Sequence, residues 1–565
     1  MDFSLLYPEN SERTTAPLTQ ECINDLSIDF IIDALTTVKY EKGHIRSMMT
    51  CMTDDEEVIR YRCDVFEDFL RFPLLRERMV ELTKKLKDLQ DLERFQKDQE
   101  STVLWSLINR LREIDDYVSC ISLIKETLES LDVQSGGMKR LLSIVTEISE
   151  GSGFEELKAD INETLAMAGR LKSITIGVNL DSLLRPKTAG IVSINDTEFT
   201  DSGLMSRFMN FAHEKDELNS DLTNGGRTRF HPANPSTVNI RIGSYQQSAA
   251  THDAHIETSN VTGGDPLSNA IKKPVTAIMK RTVNDIKSTL RRYVNISGYS
   301  LISLMPEILF YVRWAELTDK ITATGMPMCK PQVLPTERRE IIFRDIYNLK
   351  LAINKVRGDE IDIITNDLSF NDDRRIFILT GPNRGGKTIF TQAVGLCVLL
   401  AQLGLYVPAS AFALSPCDNI FTHFPADEND TADLGRLGEE SKRLSQIFDI
   451  ATKKSLLLLN ESLATTSVAE GLFIAKDVVR SMRYLGCRCI FNTHMHDLAR
   501  DLDRFNEETE GDSRVESLVT GVHDGQRSFK VSITPPQGTS YARDIAEKYG
   551  VTFQNIKEHI DRKNP

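Results

Sequence analysis

The sequence predicts an α/β nucleotide-binding domain of the P-loop kind in its C-terminal part. Ahead of it lies a mostly α-helical region carrying one small extended insert. Three observations predict this: a glycine-rich loop between a strand-like and a helix-like segment, two further short apolar runs that end in polar residues, and sustained helical periodicity from Cys22 to Ser173.

The loop carries the argument. Thr380 to Phe390 reads TGPNRGGKTIF. The spacing Gly-x-x-x-x-Gly-Lys-Thr, from Gly381 through Pro382, Asn383, Arg384, Gly385 and Gly386 to Lys387 and Thr388, bends the backbone so that successive N–H groups point inward at a triphosphate. Lys387 would neutralise the β- and γ-phosphates, and the Thr388 hydroxyl would sit on Mg²⁺. The run RIFILT before it reads as a buried strand. Phe390 to Gly404 reads as an apolar helix whose N-terminal dipole faces the phosphates. ATP and Mg²⁺ are therefore the expected ligands.

Downstream, Ser455 to Leu459 is an apolar run before Asn460-Glu461, as expected of a parallel core strand with polar groups at its carboxyl end. A carboxylate in that place orients and activates the attacking water, which makes Glu461 the candidate general base. Cys487 to Asn492 reads as another strand and delivers Thr493-His494 at its tip. There His494 is the candidate sensor of the γ-phosphate.

Composition bounds the remainder. A chain of 565 residues gives a prior of roughly three to four domains. Its 40% hydrophobic and 27% charged residues are ordinary for a soluble globular protein. The start lacks a basic region followed by an apolar core, and the most apolar stretch, Ala393 to Leu405, is too short to span a bilayer. Nine scattered cysteines without a Cys-x-x-Cys pair fit a reduced compartment without structural zinc, hence a cytoplasmic protein. The net charge of −14 argues against a nucleic-acid partner, but distribution matters more than the sum. One helical segment, Asn269 to Val294, places Lys273, Lys280, Lys287 and Arg291 on a single stripe that would track a DNA backbone. The plainer reading of that stripe is a solvated helix face.

Along the chain the expected organisation is a flexible lead over 1–20, outgoing helices over 21–175, a mixed insert with a polar stretch over 176–266, and returning helices over 267–340. The α/β domain follows over 341–538, and a C-terminal helical segment with Gly550 between two short helices over 539–565.

GPNRGGKT, then LLLLNESLATTS, then FNTHMHDLA together resemble the ATPase domain of the MutS family of DNA mismatch-repair proteins, a branch of the ABC-type ATPases. Val407-Pro408-Ala409, Ile420-Phe421-Thr422 and Ser540-Tyr541 match that pattern too, so the resemblance covers roughly Ile341 to Ile560. It implies an ATPase working as a homodimer, with helical levers and a clamp around duplex or branched DNA in mismatch repair or recombination, and a C-terminal segment that helps pair the ATPase domains. The chain departs from the family at Asn460, where an Asp usually holds a Mg²⁺-bound water. It departs again at Gly435, Arg436 and Gly438, in the segment that reaches a partner's γ-phosphate, and at Arg384, where Met is frequent. An N-terminal mismatch-reading domain with Phe-x-Glu is expected to be missing. Two alternatives stay open: a nucleotide-gated clamp on a ribosome, RNA or protein partner, and an ATP-binding scaffold with little turnover.

Overall fold

The computed structural model describes residues 3–97, 103–151, 153–168, 173–180, 182–183, 186–195, 229–230, 240–241, 299–382, 385–425, 435–463, 468–523, 526–535, 547 and 549–563. The chain divides into two compact units. One is Met1–Val80 with Leu131–Leu141 and Pro306–Pro565; the other is Glu81–Ser130 with Leu142–Met305.

The first unit begins with a correction. Residues 1–20 read as a flexible lead because Pro8, Pro17 and many polar residues dilute the signal. In the structure Leu5 is fully buried and Leu6 and Leu18 nearly so. The Leu5 N–H donates to the Glu307 carboxylate at 2.6 Å, the Tyr311 hydroxyl to the Leu5 carbonyl at 3.0 Å, and Arg62 Nε to the Leu6 carbonyl at 2.9 Å. Two adjacent leucines with paired backbone groups are enough to anchor a segment whose overall composition looks loose. Further on, β1 (Ala16–Pro17) pairs antiparallel with β2 (Cys51–Met52).

In the second unit, β3 (Ser173–Leu180) and β4 (Pro186–Asn195) form an antiparallel pair, and β5 (Arg229–Phe230) and β6 (Ile240–Arg241) add to β4. The helices Val103–Glu129 and Phe154–Ala168 belong to this unit. Most of the 176–266 insert lies outside the described residues, as does the basic stripe of Lys273, Lys280, Lys287 and Arg291.

The first unit then supplies β7 (Gln332–Val333), β8 (Ile341–Ile346), β9 (Asn366–Phe370), β10 (Arg374–Thr380), β11 (Ala411–Leu414), β12 (Ile420–His423), β13 (Leu456–Asn460), β14 (Arg488–Asn492), β15 (Arg514–His523) and β16 (Gln526–Ile533). One sheet has the order β7-β11-β8-β9. A larger one runs β12-β13-β14-β10-β15-β16, parallel except for the β15/β16 pair. Every residue of β12, β13 and β14 is buried. Strands covered on both faces must be apolar throughout, which is why Leu456 to Leu459 show no alternation. Each such leucine contributes about 1.5–3 kcal/mol relative to an exposed one.

The register is what positions the site. Leu379 lies beside Asn492, and Asn492 beside Asn460, so β10, β14 and β13 end at the same edge of the sheet. The residues that leave those strands therefore emerge together. The helix Lys387–Gln402, buried over most of its circumference, packs on this sheet with its N-terminus at that edge. No helix among the described residues is long and apolar enough to cross a membrane.

Candidate nucleotide site

The glycine loop leaves β10 at Gly381 and enters the helix at Lys387. Gly381 has φ +141, and a Cβ there would stand 2.0 Å from Thr520 Oγ1 on β15, so only glycine fits. Gly386 caps the helix in left-handed backbone at φ +84. Lys387 is buried and folds back under the loop, its Nζ donating to the carbonyls of Gly381 at 3.2 Å and Pro382 at 3.1 Å. Burial pushes the Lys387 ammonium below its ordinary value, and the charge of Glu461 pulls it back up. Asn383 and Arg384 lie outside the described residues.

Thr388 donates its hydroxyl to Asn460 Oδ1 at 2.9 Å, and Asn492 Nδ2 donates to the same oxygen. The carboxamide Oδ1 of Asn492 is buried without a hydrogen-bond partner. A hydroxyl and amide oxygens gathered at a helix N-terminus suit a hard cation that keeps its waters. Among the described residues no cluster of three or more His, Cys, Asp or Glu could cage a metal by itself. These donors fit Mg²⁺, and Thr388 and Asn460 are the residues that would hold it.

Glu461 follows β13 directly, in left-handed backbone at φ +52, and its N–H donates to the Asn492 carbonyl at 2.8 Å. Its Oε1 lies 2.8 Å from His494 Nε2, just past the end of β14. That hydrogen bond, helped by the charges of His494 and Lys387, holds the Glu461 carboxyl below the ordinary carboxylate range against the opposing effect of burial. The group is therefore an ionised acceptor near neutral pH, as a base must be.

Lys387, Thr388 and Glu461 open onto one cavity of about 400 Å³. Its other walls come from residues that no motif marks. Asn348 caps the helix Leu349–Val356 and donates from Nδ2 to the Ile389 carbonyl at 2.9 Å. Ile346, Leu351 and Ile364 make an apolar side, Asp362 adds a carboxylate, and Phe529 comes within van der Waals reach of Gly386. These residues sit before and after the motif segments, and only the tertiary structure assembles them. Asn348 ahead of an apolar helical pattern is a signal that could have marked one of them.

The remaining candidates are placed only in part. Gly435 begins the helix Gly435–Ile450 and Gly438 lies in its first turn, while the Arg436 side chain is outside the described residues. Ser540 and Tyr541 are outside them too. The helix Phe553–Lys563 of the C-terminal segment is present, with Phe553, Ile556 and Ile560 exposed.

Comparison with known proteins finds family models that match the sequence building this site. Residues 377–555, which hold the loop, Asn460-Glu461 and His494, match MutS domain V, and residues 54–324 match the MutS2 N-terminal domain. Over both of these stretches the chain is similar to MutS-family proteins. Among its relatives is the DNA mismatch repair protein MutS 2 of Halobacterium salinarum, 37% identical over 150 residues, which is 26% of this chain and 17% of that protein. The DNA mismatch repair protein MutS of Chlorobium chlorochromatii is 37% identical over 149 residues, 26% of this chain and 17% of that protein. The match to MutS of Prochlorococcus marinus strain MIT 9312 is longer, 28% identical over 254 residues, 43% of this chain and 28% of that protein. The chain thus aligns with well under two thirds of the length of these curated MutS relatives.

Proposed function

We propose that this MutS-like chain binds and hydrolyses ATP with Mg²⁺ at the cavity formed by Lys387, Thr388 and Glu461, and uses that cycle to switch a dimeric clamp on duplex or branched DNA. The observation that carries the proposal is the meeting of the buried Lys387 and the Glu461–His494 pair at one edge of a parallel sheet, around a cavity of about 400 Å³. The strand order and the glycine loop support a P-loop arrangement of the ABC type.

In this reading the loop amides and Lys387 bind the β- and γ-phosphates, and the apolar side of the cavity takes the base and sugar. Glu461 receives the proton of the attacking water, and His494 keeps the carboxylate ionised and oriented. Bound Mg²⁺ would neutralise charge on the phosphates, and Thr388 would ligate it. Residues 21–175 and 267–340 would serve as levers, 176–266 as the clamp, and 539–565 as the dimerisation segment. Lys273, Lys280, Lys287 and Arg291 are the proposed backbone contacts, and Gly435, Arg436 and Gly438 the proposed contact across the dimer.

One observation favours a second reading, an ATP-binding scaffold with little turnover: Asn460, rather than a carboxylate, accepts the Thr388 hydroxyl. The test is ATP hydrolysis by the purified chain with and without linear, mismatched and four-way-junction DNA, alongside Lys387→Ala. Stimulation by one DNA form, lost in Lys387→Ala, supports the clamp. Binding without turnover supports the scaffold. Turnover indifferent to every DNA at low salt moves the partner to RNA, a ribosome or a protein.

A further inference from the structure

The turn that presents Glu461 is held by groups outside the phosphate loop. Glu461 and Leu463 both adopt left-handed backbone, φ +52 and +63, which side-chain-bearing residues disfavour unless their surroundings hold them there. Three residues do so. The Leu463 N–H donates to the carboxylate of Glu440, in the helix Gly435–Ile450. Ser462 Oγ lies 2.7 Å from Nδ1 of His423, the last residue of β12. His423 Nε2 faces the Glu440 carbonyl at 3.2 Å.

The tautomer follows from these partners. A carbonyl only accepts, so Nε2 carries the hydrogen, and the Ser462 hydroxyl has two acceptors on His423, Nδ1 at 2.7 Å and the backbone carbonyl at 3.0 Å. Burial, with Arg443 nearby, pushes His423 down to about 4, so the ring stays neutral. His423 and Ser462 are each 1% exposed and Glu440 8%. The brace is closed: Glu440 grips the turn through its carboxylate at Leu463, and again through its carbonyl, His423 and Ser462.

We propose that Glu440, acting with His423 and Ser462, is a positioning residue that fixes Glu461 beside Lys387 and ties it to the helix Gly435–Ile450. A displacement of that helix is then felt at the base without any change in the phosphate loop. The proposal rests on the ATP-hydrolysing reading above and concerns the hydrolytic step, not nucleotide affinity.

The experiment compares the full chain with Glu440→Ala, Glu440→Gln and Ser462→Ala, measuring kcat and KM for ATP and, separately, the affinity for a fluorescent ATP analogue with Mg²⁺. The expected result is a fall in kcat of about 10- to 100-fold in Glu440→Ala, because a misplacement near 1 Å costs that much. Analogue affinity stays within about twofold, since the interactions lost are not made to the nucleotide. Glu440→Gln, whose amide oxygen still accepts from Leu463, recovers most of the lost turnover. Ser462→Ala removes only a hydroxyl and carries the same test if Glu440→Ala does not fold. Unchanged kcat in the variants, or affinity falling in step with kcat, overturns the positioning role while leaving the ATPase reading intact. A wild-type chain that binds the analogue but never turns ATP over overturns both.

Discussion

Replacing Gly381 with alanine tests the loop geometry where it is most constrained. At φ +141 the residue occupies backbone space essentially closed to L side chains, at a cost of about 1–3 kcal/mol. The new methyl would also stand 2.0 Å from Thr520 Oγ1 and 3.2 Å from the Thr520 backbone N, so β15 or the loop must move, adding about 1–3 kcal/mol of overpacking. The two contributions sum to about 2–6 kcal/mol. Thr520→Ala separates them. The Thr520 hydroxyl is buried without a hydrogen-bond partner, so its removal alone is expected to be near neutral. Combined with Gly381→Ala it should recover the hydroxyl part of the clash and leave the backbone strain. Urea unfolding of the four proteins in a double-mutant cycle measures both parts, with a coupling of about 1–3 kcal/mol expected. The loop geometry is refuted if Gly381→Ala costs less than about 0.5 kcal/mol, the range of an ordinary surface substitution. Complete rescue by Thr520→Ala would refute the strain alone.

Three further outcomes follow from the same contacts. Glu461→Gln is expected to reduce ATP turnover by about 10²- to 10⁴-fold while leaving analogue binding in place, measured by steady-state hydrolysis and fluorescence titration. Asn460→Asp keeps the oxygen that accepts from Thr388 and Asn492 and adds a charge, so the Mg²⁺ concentration at half-maximal ATPase should fall about 10-fold or more. Glu307 is held above its ordinary carboxylate value by burial, although it accepts from Leu5 N–H and the Ser4 hydroxyl. A raised folded value means its contribution to stability is full below the unfolded carboxylate value and is lost as pH rises through the folded one. Glu307→Gln should therefore flatten the decline in urea midpoint above pH about 4 that the wild type shows on this account, and an unchanged slope would remove Glu307 as its source.

What was legible in the sequence was whatever a local pattern determines. The loop could be read because phosphate cradling needs glycine at fixed offsets, and Gly381 and Gly386 do hold backbone that other residues avoid. Glu461 and His494 could be read because strands buried on both faces are continuous apolar runs, and their polar ends stand out. The cavity wall was not legible, since Ile346, Asp362, Ile364 and Phe529 come from segments with no chemistry of their own, joined only by sheet register and the packing of the helix Lys387–Gln402. The lead over 1–20 was misread for a related reason: composition averages over a window, whereas Leu5 and Leu6 are anchored by partners some 300 residues away in sequence, Glu307 and Tyr311, together with Arg62. His423 and Glu440 escaped notice because each is unremarkable alone. A histidine at a strand end and a glutamate in an amphipathic helix acquire a role only when β12 and that helix meet at Ser462 and Leu463. Motifs thus fix the loop proposed to touch phosphate, and long-range packing fixes what holds the proposed base still. Variants of the first kind should disturb nucleotide affinity, and variants of the second kind turnover alone.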